Sequence, residues 1–342
     1  MSRRRTLIRL AVVAVVAVSV VVAGYAGYAF VAGSAEYLAG TPEHIVCDTP
    51  LHRFGWAYET INYDIADDEA LLAASPDPNN CTKAASTAGG EVVSTDGVHI
   101  AGWYIPAQDS IGAEGPTIVI VHGGRTNKSG VLDYAPAFHE HYNLLLPDLR
   151  NSGRSGGTES TSGLREQHDL RAMLDWLERT KHPAWIAVMG NSNGAATALA
   201  EGLGDQRVRA LVLDSMHAQV ARQVANVIET ERHLPPWPAA WALVVGASFR
   251  IGADLETVDP VRSLAAWDDR PILLIHGLAD TIDRPADSLE PNIAAAVAAN
   301  LSFEVHVCPE ARHGQAIVVC AEEWARWAND FLAASREADT AR

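Results

Sequence analysis

Short apolar runs separated by longer polar or amphipathic stretches dominate this chain. TIVIV (117–121), NLLLP (143–147), WIAVM (185–189), ALVLD (210–214) and PILLI (271–275) are almost continuously apolar, and SFEVHV (302–307) follows as the last. Runs of this length and continuity suit strands buried on both faces. Between them lie segments such as LREQHDLRAMLDWLERT (164–180), in which the leucines, Met173 and Trp176 recur at helical spacing. Strand alternating with helix predicts an α/β fold, a mostly parallel sheet covered by helices on both faces. In such sheets reactive groups gather beyond the carboxyl ends of the strands, so the residues after each run are the ones to inspect.

Before these runs, EVVST, Asp96-Gly97 and VHIAGWYIP read as a β-hairpin closed by a two-residue turn, which places the start of the folded domain at Glu91 and its end near residue 335, with 336–342 as a tail. Residues 33–90, with ASPDPNN at 74–80, have weak periodicity and read as a linker and irregular extension. Residues 217–268 are longer than a simple crossover and rich in Trp and Pro (LPPWPAAWALVVGASF). They fit either a small helical lid over a pocket or an enlarged crossover that only packs.

The amino terminus is of a different kind. Residues 11–32, AVVAVVAVSVVVAGYAGYAFVA, contain no charge, and this length matches the roughly 20 residues that cross a bilayer as a helix. A cleaved signal peptide is the rival reading, with the small residues Ala32, Gly33, Ser34 and Ala35 as a cleavage region, although signal apolar cores are usually about 7–15 residues. Arg3, Arg4, Arg5 and Arg9 precede any acidic residue, which predicts residues 1–10 in the cytoplasm and the rest of the chain outside. The whole chain carries 26 basic and 42 acidic residues, net −16; beyond those four arginines the balance is 22 against 42, or −20. This acidity disfavours nucleic acid as a partner, and 48% hydrophobic residues exclude a disordered acidic chain.

All four cysteines, Cys47, Cys81, Cys308 and Cys320, lie beyond the apolar run, where an oxidising compartment permits disulfides. Three pairings are open, and proximity in sequence favours Cys47 with Cys81 and Cys308 with Cys320; four buried thiols are the alternative. Their spacing does not suit zinc. His139-Glu140-His141 offers two histidines, but alternate residues of a helix face different ways, so no metal site is expected there.

The chemistry points to Gly190-Asn191-Ser192-Asn193-Gly194, between WIAVM and the apolar helix AATALAEGL. A serine on a sharp strand-to-helix turn needs a strained backbone, and flanking glycines let strand and helix approach. Gly153-Arg154-Ser155-Gly156-Gly157 matches the same spacing but sits in a polar loop with no helix directly after it, so Ser192 is preferred over Ser155. A serine hydroxyl needs a histidine to take its proton and a carboxylate to orient that histidine. Asp280 follows the PILLI strand, with Asp283, Asp287 and Asp214 as rivals; His313 lies in the loop after the last strand, whereas His306 lies within it. The oxyanion donors expected are the backbone N–H of Asn193 and one from the loop after TIVIV, with Gly124 favoured over Arg125.

Taken in order, HGG (122–124), DLRNSGRSGG (148–157), GNSNG (190–194), HGLAD (276–280) and RHG (312–314) resemble the α/β-hydrolase superfamily over residues 90–335. The likeness is to short-lid serine hydrolases, among them carboxylesterases, acyl-protein thioesterases and related aminopeptidases. It implies the α/β-hydrolase fold with an eight-stranded, mostly parallel sheet, a Ser192–Asp280–His313 triad and no cofactor. The family usually has glycine where Asn151 stands, and a hydrophobic residue or glutamine where Asn193 stands. The resulting expectation is a membrane-anchored, outward-facing serine hydrolase acting on a small ester or thioester, with peptidase, acyltransferase and a non-catalytic binding protein as alternatives. Trp237 and Trp241 in the lid segment would either line an acyl pocket or pack.

Overall fold

The computed structural model describes residues 2–39, 44–84 and 88–341, except for the side chains of residues 2–6 and 9; the side chains of Arg3, Arg4, Arg5 and Arg9 therefore lie outside the described residues. Its centre is an eight-stranded sheet of β1 (Glu59–Ile61), β2 (Gly102–Ile105), β3 (Thr117–Val121), β4 (Asn143–Pro147), β5 (Ile186–Asn191), β6 (Val208–Asp214), β7 (Ile272–Gly277) and β8 (Phe303–Cys308). The spatial order is β8-β7-β6-β5-β3-β4-β2-β1, and only the pairings of β1 with β2 and β2 with β4 are antiparallel. This is the α/β-hydrolase fold. Every residue of β3, β4 and β7 is buried, which is why those strands read as continuous apolar runs.

Helices α1 (Ser2–Tyr28), α2 (Glu166–Lys181), α3 (Asn193–Gly204), α4 (Val220–Thr230), α5 (Ala239–Ile251), α6 (Leu289–Ala298) and α7 (Ala321–Thr340) hold most of the helical residues described. Two cores fill the two faces of the sheet. One packs Phe138, Leu146 and Met189 against Trp324 and Phe331 of α7; the other packs Val119, Leu145 and Val188 against Leu170 and Leu174 of α2 and Leu199 of α3.

Three boundaries differ from the sequence reading. The sheet takes its edge strand β1 from before Glu91, and Tyr58, Tyr63 and Asp68 pack or hydrogen-bond around Trp103 of β2, so the extension is part of the folded body. The expected hairpin shrinks to one bridge, Val93 with His99, because β2 pairs instead with β1 and β4. The tail is also helical: α7 continues to Thr340 and Asp339 pairs with Arg209.

The structure bonds Cys47 to Cys81 and Cys308 to Cys320, with Cα separations of 6.2 and 6.1 Å. Residues Leu10–Leu38 form a helical stretch long and apolar enough to cross a membrane. Its later part touches the protein. After α1 the chain passes through a wide turn at Ala29–Gly33 into Ser34–Leu38, and this stretch packs on α5 so closely that a Cβ on Gly246 would lie 2.3 Å from the Phe30 carbonyl oxygen. Of the 217–268 segment, α4 and α5 roof a cavity, whereas Pro260–Ala265 packs beside α6 in the helical layer.

Candidate active site

Strand β5 ends at Asn191 and α3 begins at Asn193, so the chain turns at Ser192 alone. Ser192 sits at φ 54°, ψ −121°, a conformation that L-residues adopt only where the surroundings enforce it. The flanking glycines allow the crossing. A Cβ on Gly190 would stand 2.4 Å from the Gly194 carbonyl oxygen, and one on Gly194 would stand 2.3 Å from that of Val121.

The loop after β8 brings His313 over this turn. Its Nε2 lies 2.8 Å from Ser192 Oγ and its Nδ1 lies 2.8 Å from Asp280 Oδ2. With Nδ1–H donating to the carboxylate, Nε2 is left to accept the serine hydroxyl. Asp280 is buried, and its other oxygen accepts the backbone N–H groups of Ile282 and Asp283 at 2.8 and 2.9 Å, which fixes the carboxylate. The Gly314 N–H donates to Ser215 Oγ at 3.1 Å, and the Cys308–Cys320 bond closes the loop that carries His313.

Burial alone would lower the His313 pKa, but the Asp280 hydrogen bond and the negative charge of Asp283 outweigh it and hold the imidazole above its usual 6.5. Asp283 stands 3.7 Å from the same Nδ1, and burial pushes its own carboxyl up to about 7. Gln223 of α4 donates to it at 2.9 Å. The other two rivals are engaged elsewhere: Asp214 accepts from Trp324 and Tyr134 beneath the strand end, and Asp287 faces Arg222.

Across from His313 runs the loop after β3. His122 donates from Nδ1 to the Gly123 carbonyl at 2.7 Å and accepts the Leu149 N–H on Nε2 at 2.9 Å, which pins the loop to the end of β4. Gly123 and Gly124 pass close to the turn: a Cβ on Gly123 would lie 3.2 Å from Ser192 Cβ, and one on Gly124 would lie 2.8 Å from Asn193 Nδ2, which would have to move. Arg125 follows in the left-handed region at φ 61°. Asn193 Nδ2 faces Ser162 Oγ at 3.4 Å, and that hydroxyl meets Tyr37 Oη at 2.5 Å. Nothing in the sequence marks Tyr37, Ser162 or Gln223, since their role depends on segments far apart in the chain.

The remaining sequence candidates have other partners. Ser155 is buried, donating to the Asp148 carbonyl and accepting the Ala101 N–H, so it ties the loop to β2. Asn151 takes the left-handed conformation, φ 57°, that the family's glycine would hold, and its side chain donates to the Ala39 carbonyl. His306 stacks on Trp327; His139 stacks on Trp56, while His141 turns to Asp109.

Above Ser192 and His313 lies a cavity of about 310 Å³. Val224, Val227 and Ile228 of α4 and Leu243 of α5 give it an apolar wall, and Tyr25, Tyr28 and Tyr37 of the amino-terminal helix form the facing side.

Residues 116–243 match the family model for the alpha/beta hydrolase fold. The uncharacterized protein Rv2307c of Mycobacterium tuberculosis is 34% identical over 215 residues, 61% of this chain and 68% of that protein. Uncharacterized protein YqkD of Bacillus subtilis is 30% identical over 195 residues, and the chain spans 62% of its length. Among solved structures, an esterase of Pyrococcus furiosus superposes with a TM-score of 0.61 at 22% identity, over 86% of this chain and 97% of the esterase. Fold, strand order and these relatives agree: the chain belongs to the α/β-hydrolase superfamily.

Proposed function

We propose that the protein is a serine hydrolase that cleaves carboxylic ester or thioester bonds through an acyl-enzyme, held to the membrane by its amino-terminal helix. The observation that carries this reading is the continuous hydrogen-bonded series from Asp280 through His313 to Ser192, with the serine on a strained turn at the foot of an apolar cavity. Ser192 Oγ attacks the carbonyl carbon while His313 Nε2 takes its proton. The oxyanion is stabilised by the N–H groups of Asn193 and Gly124. Collapse breaks the bond to the alkoxide or thiolate, which leaves with the proton from His313, and water then repeats the sequence on the acyl-serine. Asp280 keeps the imidazole in the productive tautomer and offsets the charge it gains.

The wall of Val224, Val227, Ile228 and Leu243 suits an acyl chain. The amino-terminal arginines and the two bonded cysteine pairs support a cytoplasmic amino terminus and an extracytoplasmic domain. The packing of Tyr25–Leu38 against the roof of the cavity supports a retained anchor rather than a cleaved signal.

The test is covalent labelling of the purified full chain with a fluorophosphonate. Labelling is expected in the intact protein and in neither Ser192→Ala nor His313→Ala. Labelling that persists in Ser192→Ala, or fails in the intact chain, overturns the proposal.

A further inference from the structure

The uncharged free portion of the amino-terminal helix, beyond Arg9, is too short to cross a bilayer by itself. From Leu10 to Gly24 none of its residues is buried, and from Tyr25 onward it docks on the roof. Those 15 residues span about 22 Å at about 1.5 Å per residue, against a hydrocarbon core of about 30 Å. The remaining depth, about 8 Å, falls on Tyr25 to Phe30, which already touch the roof. The Tyr25 hydroxyl donates to the Pro235 carbonyl, the Phe30 and Phe249 rings lie 6.2 Å apart, and Arg250 caps the Val31 carbonyl and Ser34. Whatever the helix enters at this level, α5 enters with it.

The outer face of the roof is composed for that position. Trp241, Val245 and Phe249 recur every four residues along α5, and Trp237 stands two residues ahead of the helix; Trp237, Trp241 and Phe249 are 74, 62 and 79% exposed. A stripe of a tryptophan, a valine and a phenylalanine, with a second exposed tryptophan at the helix entry, is what an interfacial helix buries about 5–10 Å into the headgroup and acyl boundary. The lining of the cavity extends from Ser192 and His313 to Tyr28, 65% exposed, and to Leu234, 46% exposed and three residues before Trp237.

We infer that the α5 stripe docks on the outer leaflet of the same membrane that the amino-terminal helix spans. The cavity mouth then opens into that leaflet, and the substrate is an acyl ester resident in the membrane, whose chain enters between the anchor and the roof. The statement about the substrate rests on the serine hydrolase reading; the docking does not. Continuity with the spanning helix argues for lipid rather than a second protein copy on this face. Along the wall of Val224, Val227, Ile228 and Leu243 the acyl chain keeps an apolar contact on its way to Ser192, although Glu36, Glu231 and Arg232 also line the cavity, so extracting it from the bilayer costs less than it would through water.

Two measurements separate the parts. The full chain is reconstituted in phosphatidylcholine vesicles with or without acyl chains brominated near the carboxyl end. Quenching of tryptophan fluorescence is expected in the intact chain and is expected to fall at least twofold in Trp237→Phe/Trp241→Phe. No quenching in the intact chain, or quenching unchanged in the variant, overturns the docking, and crosslinking at the face would then report a second copy. The second measurement compares Trp241→Glu/Phe249→Glu with the intact chain on a long-chain monoacylglycerol in the vesicles and on water-soluble p-nitrophenyl acetate. A loss of tenfold or more on the first substrate only, with fluorophosphonate labelling retained, supports leaflet access. Equal loss on both, or loss on neither, overturns it. An intact chain that quenches but neither labels nor hydrolyses defeats the hydrolase reading and the substrate with it, while the docking stands.

Discussion

The carboxylate of Asp283 stands 3.7 Å from His313 Nδ1, beside the Asp280 oxygen that takes the hydrogen bond at 2.8 Å. One imidazole thus faces two buried acids, of which one orients it and the other adds charge. Both favour the imidazolium, and the base must be neutral to act, so hydrolysis should fall as pH drops through a His313 pKa above 6.5. Asp283→Asn removes charge but keeps the shape, and the acid limb of kcat/KM should move to lower pH with most of kcat retained at pH 8. Asp280→Asn should instead cost ~10⁴-fold in kcat, by loss of the productive tautomer. A pH profile of both variants checks this; an unmoved limb in Asp283→Asn refutes the assignment.

Gly190 answers to space rather than to φ. A methyl group there meets the backbone of Gly194 and Ala195, at 2.4 and 2.5 Å, and neither can rotate away. Gly190→Ala should destabilise the domain by ~1–3 kcal/mol and displace the turn that holds Ser192. Urea unfolding in detergent, with labelling as a second readout, measures both effects.

The bond between Cys308 and Cys320 closes a loop with a sequence separation of 12 that contains His313. Cross-linking so short a loop stabilises by ~3 kcal/mol through the entropy of the unfolded chain. Replacing both cysteines by serine should lower the unfolding midpoint accordingly and reduce kcat more than it raises KM. Unchanged kcat would show that Ser215 and the surrounding packing hold the loop without the bond.

Lys128 is buried with Asp148, Nζ to Oδ2 at 2.6 Å, and its ammonium lies 4.7 Å from the Trp103 ring centre. Lys128→Met leaves the Asp148 carboxylate buried with only its backbone donors, at Lys128 and Arg154. The expected cost is ~3 kcal/mol, read by thermal unfolding, with p-nitrophenyl ester hydrolysis little changed below the transition.

The parts legible in the sequence are those that local chemistry encodes. A strand buried on both faces must be apolar throughout, so β3 to β7 could be read as they stand. A serine that turns a chain between strand and helix needs small neighbours, so Gly190 and Gly194 announced Ser192. His313 was separable from His306 because one follows its strand and the other lies inside it. Asp280 and Asp283 are harder to part: three residues apart in one turn, they differ only in their distance from the imidazole, 2.8 against 3.7 Å, and in the groups that hold them. Strand β1 left no trace, since three residues are too few for a pattern and its partner β2 lies some forty residues on.

Strands β3 to β7, the turn at Ser192 and the apolar helix ahead of them are legible locally, because each follows from periodicity or steric need within a few residues. Only the tertiary structure decided that Tyr37 and Ser162 stand behind Asn193, that Gln223 of the roof reaches Asp283, and that the end of the apolar helix lies against α5. An apolar side chain has the same composition whether lipid or protein covers it, so that choice is made by which surface the fold brings alongside.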